Sequence, residues 1–281
     1  VYTRDEVLLH IENVSQKYED KVVLENLSIK IHNLHATDAA VTAGQVVGFL
    51  GPSGCGKTQL LRIISGLQRP TTGEVFIDAD KKRMRKGMCG VVFQTYPLFL
   101  HRTVMGNLLL AGSMAGMTHA EAMNTANELL ATFELEGSAE KFPGELSGGM
   151  QQRVAICQQL INMDSKLGHT DTRLMLLDEP FAALDPRNTF KTCKLLRKVA
   201  DMHDLNTIVV VTHDIRAALS VSDVLWIMGR DRDENGKVCS GGKIIQELDL
   251  VNQGLTWHPE VESLPAFIKL NKDINELFHI L

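Results

Sequence analysis

Gly51-Pro-Ser-Gly-Cys-Gly-Lys57-Thr58 lies between the apolar run Val46-Val47-Gly48-Phe49-Leu50 and the stretch Gln59-Leu-Leu-Arg-Ile-Ile-Ser-Gly66. The run reads as a buried strand and the stretch as a helix, so the order is strand, glycine loop, helix. Glycines let a backbone wrap closely round an anion with its N–H groups turned inward, and the following helix adds the positive end of its dipole. Lys57 would then reach the β and γ phosphates of a nucleotide, and Thr58 would offer its hydroxyl to Mg2+. Gly51, Pro52, Ser53, Gly54, Cys55, Gly56, Lys57, Thr58 and Gln59 form the predicted cradle. A plain glycine turn before an ordinary helix is the alternative, and the flanking elements weigh against it.

Composition sets the frame around that loop. With 281 residues, 44% apolar and 22% charged, the chain is long enough for a sizeable core and falls between one large domain and two. A net charge of −5 gives no electrostatic support for a nucleic-acid partner, and none is expected. The local run Lys81-Lys-Arg-Met-Arg-Lys86 reads as a solvated turn between strands, with contact to anionic lipid or a partner as the alternative. Cys55, Cys89, Cys157, Cys193 and Cys239 are odd in number and form no C-x-x-C pair, which points to reduced thiols in a cytosolic protein. No apolar stretch is long enough to cross a bilayer, and Val1-Tyr-Thr-Arg-Asp-Glu6 has no signal-peptide character. Any membrane span in its process is expected from another chain.

Upstream of the loop, residues 8–14 and 22–31 alternate as antiparallel strands do, while 32–44 reads as a loop or hairpin extension. Downstream, residues 70–73 form a turn, and 74–78 and 90–93 read as strands, the latter ending at Gln94. Helical spacing then takes over at 104–114, 119–133 and 150–161. The apolar runs at 174–177 and 207–212 suit a sheet covered on both faces, and a helix at 189–203 between them makes a parallel unit. The predicted fold class is α/β, with a parallel-sheet core of the P-loop NTPase kind, an antiparallel β subdomain and an inserted helical subdomain.

Leu174-Met-Leu-Leu-Asp178-Glu179-Pro180 puts two carboxylates at the carboxyl end of a buried strand, where open α/β sheets bind their ligands. Adjacent residues point to different sides, so Asp178 would hold Mg2+ through its water shell and Glu179 would polarise the water attacking the γ-phosphate. A helix cap or solvated turn is the plainer reading of such a pair. Leu146-Ser147-Gly148-Gly149-Met150-Gln-Gln-Arg153 opens a helix whose free N–H groups and serine hydroxyl could form a second anion site, or only an N-cap with two flexible glycines.

In this order the motifs resemble the ATP-binding cassette (ABC) ATPases over residues 7 to about 230. The 146–153 segment resembles that family's signature, joined by Gln94 after a strand, Ala183-Leu184-Asp185 after the acids, and His213 ending a strand. The resemblance implies ATP and Mg2+ as cofactors and a head-to-tail dimer, in which Ser147, Gly148 and Gly149 of each copy close over the γ-phosphate held by the other. It implies Tyr18 as the adenine platform, Asp185 at the nucleotide interface, Gln94 on Mg2+ or water, and His213 as γ-phosphate sensor orienting Glu179. Core packing for Tyr18 and a structural hydrogen bond for His213 are the plain alternatives. Met150 stands where many members have Gln, a variation that resembles importers of the nitrate, sulfonate and taurine type. Cys157-Gln-Gln in place of Ala-Arg-Ala, and long stretches at 32–42 and 164–171, also depart from the pattern.

The expected function is an ATPase subunit that powers a membrane importer. It would sit peripherally on the cytoplasmic face, paired with itself or a homologous ATPase subunit and with transmembrane permease subunits. Residues 95–105 are the expected permease-docking face, and some of them are equally suited to core packing. The rivals are a soluble cassette acting on nucleic acid or the ribosome, and a P-loop protein that binds ATP without turnover. Residues 1–246 are the expected cassette, with the helical insertion at about 95–167. Residues 247–281 form an extension whose stripe Leu264, Phe267, Ile268, Leu270, Ile274, Leu277, Phe278 and Leu281 is expected to pack on its own domain, with a dimer or regulatory contact as the alternative.

Overall fold

Two sheets carry the chain. The computed structural model describes residues 2–36, 44–163, 173–182, 184–203, 206–256, 258 and 260–281. In the first sheet, β1 (Tyr2–Tyr18) and β2 (Lys21–Ala36) form an antiparallel hairpin. Leu9 and Ile11 face inward opposite Ile31 and Ile29, the alternation that fixes register. β1 also pairs with β4 (Thr72–Ile77), which carries the short edge strand β5 (Lys82–Arg83). The expected strands are therefore present and longer: the stretch left between loop and hairpin extension continues β2 to residue 36, while 37–43 and 164–172 lie outside the described residues. The basic run 81–86 makes the turn and edge strand, with Lys81 2.8 Å from Glu12 and Arg83 2.6 Å from Glu74.

The second sheet is built from β3 (Gln45–Leu50), β6 (Gly90–Val92), β7 (Arg173–Asp178), β8 (Asn206–Thr212), β9 (Val224–Gly229) and β10 (Lys243–Asp249), in the order β10-β9-β3-β8-β7-β6. All neighbours are parallel except β10, which runs antiparallel to β9. Every residue of β3, β8 and β9 is buried, as continuous apolar runs require when both faces are covered. The hairpin sheet meets this one where Glu25 N–H donates to Gly242 O at 2.9 Å. On the faces lie α1 (Lys57–Ile64), α5 (Pro186–Asp201) and α6 (Ile215–Val221).

Between β6 and β7 the chain inserts α2 (Val104–Met114), α3 (His119–Thr132) and α4 (Gly148–Met163), inside the span expected for the helical subdomain. Thr103 and Thr118 cap the first two, the latter through a capping box with Glu121. The elements α6, β9 and β10 were not anticipated. A short apolar run such as 224–229 does not separate strand from helix by periodicity, and an edge strand like β10 has no strong pattern. β10 runs across residue 246, where the extension was expected to begin. Beyond it, α7 (Pro265–Phe278) buries Phe267 and Ile274 in one cluster with Leu50, Leu225 and Ile227, and the rest of its stripe packs alongside. Ile268 is the exception at 58% exposed.

Candidate functional site

The glycine loop begins where β3 ends, tied to β8 by Gly51 N–H donating to Thr212 O at 3.2 Å. Gly56 adopts φ 104°, and a Cβ there would lie 2.5 Å from Leu24 Cδ2, so both backbone conformation and space require glycine. It opens α1 with no side-chain cap, leaving the first N–H groups of that helix to the loop. Cys55 turns its thiol into the core, and burial raises its pKa. Lys57 is only 6% exposed, and its ammonium donates to Gly51 O at 2.7 Å and Pro52 O at 3.1 Å. It also lies 3.6 Å from Glu179 Oε1, so the cation and that carboxylate share one mouth at the sheet's end.

Thr58 Oγ1 donates to Asp178 Oδ1 at 3.2 Å. Burial is the main reason the Asp178 carboxyl titrates above its ordinary value, with the neighbouring Glu179 charge adding to it. Among the described residues no group of three or more His, Cys, Asp or Glu could hold a metal by itself. Two oxygen donors side by side fit Mg2+, which prefers one or two protein oxygens together with phosphates and water over an all-protein cage. Gln94 is exposed just beyond β6, and the Val92–Leu177 register sets it alongside the acidic end of β7.

Glu179 has φ 49°, a left-handed conformation that costs a non-glycine residue about 1–3 kcal/mol. The fold holds it there through Glu179 N–H to Val211 O at 2.8 Å and Ala182 N–H to Glu179 O at 3.1 Å. Strain of this kind collects where a side chain must be aimed. Here the carboxylate meets His213 Nδ1 at 2.9 Å and accepts from His213 N–H at 3.3 Å. His213 itself is 53% exposed, a poor match for a structural core histidine. Tyr18 is 44% exposed, and its hydroxyl donates to Gln59 Oε1 at 2.9 Å and accepts from Gln68 Nε2. It therefore stands beside the cradle rather than in the core.

Ser147, Gly148 and Gly149 stand apart from this group. Ser147 Oγ accepts from Met150 N–H at 3.3 Å, and no heavy atom lies within 4 Å of a Cβ built at either glycine. The three line a cleft of about 740 Å³ with Arg153, Asn188 and Lys191, and no residue of the phosphate loop borders it. Asp185 caps α5, accepting from Asn188 N–H at 3.0 Å, which holds its carboxyl below its ordinary range. The fold thus brings Lys57, Thr58, Asp178, Glu179 and His213 together and leaves the 147–149 segment outside. Sequence patterns missed two contacts of α4: Gln152 Nε2 donates to Pro180 O at 3.0 Å in a buried bond, and Gln159 Oε1 accepts from Val91 N–H at 3.2 Å in a part-buried one. Polar residues on a helix give no signal of which strand they will meet.

Residues 34–182 match the family model described as "ABC transporter". The chain is 36% identical to the sulfate/thiosulfate import ATP-binding protein CysA of Gloeobacter violaceus, over 80% of this chain and 60% of that protein. It therefore spans less than two thirds of that relative's length. Among solved structures it resembles cbiO1 of Clostridium perfringens in fold, with a TM-score of 0.71 at 21% identity over 98% of both chains. It also resembles the ATP-binding cassette MJ0796, solved as a dimer in a post-hydrolysis state bound to ADP and Pi, with a TM-score of 0.65 and 29% identity over 86% of this chain and 99% of that one.

Proposed function

The chain belongs to the ABC transporter family, and from that premise we propose that it is the ATP-hydrolysing subunit that powers a membrane importer through head-to-tail closure of two copies. One observation carries this reading: a complete phosphate and acid cluster at the sheet's end, with an uncovered serine-glycine helix start elsewhere on the same chain. A second anion site remote from the first is used if a twin supplies the missing half. The dimeric cassette of MJ0796 with ADP and Pi supports that arrangement.

Each residue then has a task. The loop backbone and Lys57 hold the β and γ phosphates, with the Tyr18 face for adenine. Thr58, Asp178 and Gln94 would hold Mg2+, which would supply positive charge to stabilise the phosphates. Glu179 orients and deprotonates the attacking water, and His213 fixes the Glu179 carboxylate and senses the γ-phosphate. Ser147, Gly148, Gly149 and the Asp185 turn meet the nucleotide of the second copy, which is this chain again or a homologous ATPase subunit.

Among the described residues no helix is long and apolar enough to cross a membrane. We place the subunit peripherally at the cytoplasmic face, joined to permease subunits by residues 95–105, where Phe99 and Leu100 are exposed. Residues 1–246 form the cassette in this reading and 247–281 its extension. Import is supported by the sulfate/thiosulfate importer relative. The finer kinship, to importers of the nitrate, sulfonate and taurine type, rests on Met150. Phosphate release from ATP tests the proposal: wild type turns over only with Mg2+, and Glu179→Gln loses about a hundredfold or more in kcat while still binding ATP and accumulating dimer. Unchanged turnover in Glu179→Gln removes that residue as the base.

A further inference from the structure

α4 begins at the uncovered glycines and ends against the sheet that carries the acids. Gln152, one helical turn from Gly148 and only 1% exposed, donates to Pro180 O at 3.0 Å in a buried contact. Pro180 immediately follows Glu179, so its backbone fixes the path of the chain leaving the left-handed Glu179. Two turns further, Gln159 Oε1 takes the Val91 N–H of β6, at a place where Gly90 allows close approach: a Cβ there would sit 3.0 Å from Gln159 Cβ. Val91 lies three residues before Gln94. Between the two anchors Val154, Ile156 and Cys157 are fully buried in the cluster that holds Val92, Met175 and Leu177. Such a helix moves as a rigid unit, since packed interiors do not deform continuously.

We infer that Gln152 is a positioning residue that links this chain's own signature segment to its own Glu179, so that contact at the start of α4 passes through Gln152, one helical turn along, to the strand end that carries the base. In the two-copy arrangement, on which this inference rests, the γ-phosphate held by one copy presses on Ser147-Gly148-Gly149 of the other. The Gln152 bond then hands that contact to the Glu179 serving the second nucleotide. The two sites are thereby coupled through one buried hydrogen bond, with Gln159 holding the far end of the helix to β6.

Gln158 supplies the control, because it lies on the same helix, is also buried, and donates to Asn107 O at 3.4 Å within the helical subdomain instead of to Pro180. Steady-state ATP hydrolysis and ATP affinity are measured for wild type, Gln152→Met and Gln158→Met, with melting temperatures to match their stability. Gln152→Met is expected to lower kcat about tenfold with KM for ATP unchanged, as loss of alignment at the reacting centre does. Gln158→Met is expected to keep kcat at the wild-type level. Equal loss in both variants, or wild-type kcat in a folded Gln152→Met, overturns the inference. Should Gln152→Met not fold, Gln152→Asn keeps an amide one methylene too short to reach Pro180 O, and normal kcat in it overturns the inference equally. A failure of the two-copy reading shows in wild type itself, as no phosphate release or as turnover by isolated single copies.

Discussion

The phosphate loop at 51–58 and the signature segment at 147–149 are both glycine-rich helix starts, yet the fold treats them oppositely. Around the loop everything is already in place: Lys57 is buried and triply engaged, and Gly56 is wedged against Leu24. Around the signature segment there is open space, and Ser147 does no more than cap its own helix. A surface that must receive its ligand together with a partner is left uncovered, while one that binds alone is pre-organised by the core. In the proposed two-copy arrangement, this contrast is the one expected of a site completed by another molecule.

The strongest way to break that contrast is Lys57→Ala. Removing the buried cation should weaken ATP binding by about 2–5 kcal/mol, enough to abolish binding at ordinary concentrations, and calorimetry with the isolated chain would show it. Normal affinity would mean that the loop is not the cradle. Ser147→Arg acts on the other region: ATP binding by the single chain should be intact, while sedimentation with ATP should show no closed dimer. A dimer of wild-type strength in Ser147→Arg would remove the segment from the interface.

A smaller effect sharpens the same comparison through folding stability. Gly56→Ala should cost about 1–3 kcal/mol, because φ 104° is strained for any residue with a Cβ and the added carbon meets Leu24. Gly148→Ala should change stability by less than about 0.5 kcal/mol, since its Cβ would enter open space. Denaturant titration of the two proteins checks both, and equal losses would show that the segments are supported alike.

Much of this fold is legible in the sequence. The strand, loop and helix at 45–64, and the helices at 104–114 and 119–132, fall within a residue or two of where spacing put them, because caps and breaks such as Thr103, Thr118 and Gly116 are local signals. The acids at 178 and 179 were placed correctly at a strand end for the same reason. Missing were β9, β10 and α6, whose identity comes from being covered on both sides or from lying at an edge. The Glu179–His213 contact was expected only through family resemblance, since 34 residues separate the pair and no periodicity links them.

What the sequence determined by itself was the candidate chemistry: a glycine loop ending in Lys and Thr, paired acids after an apolar run, and a serine-glycine helix start are each legible in their local order. Local backbone preference and hydrophobic period are enough for that. Only the tertiary structure decided that Lys57, Asp178, Glu179 and His213 meet at one sheet end, that the 147–149 segment does not join them, and that Gln152 ties its helix to Pro180. Those are contacts between residues far apart in the chain, and they follow from the parallel order β3-β8-β7-β6, which no single segment encodes.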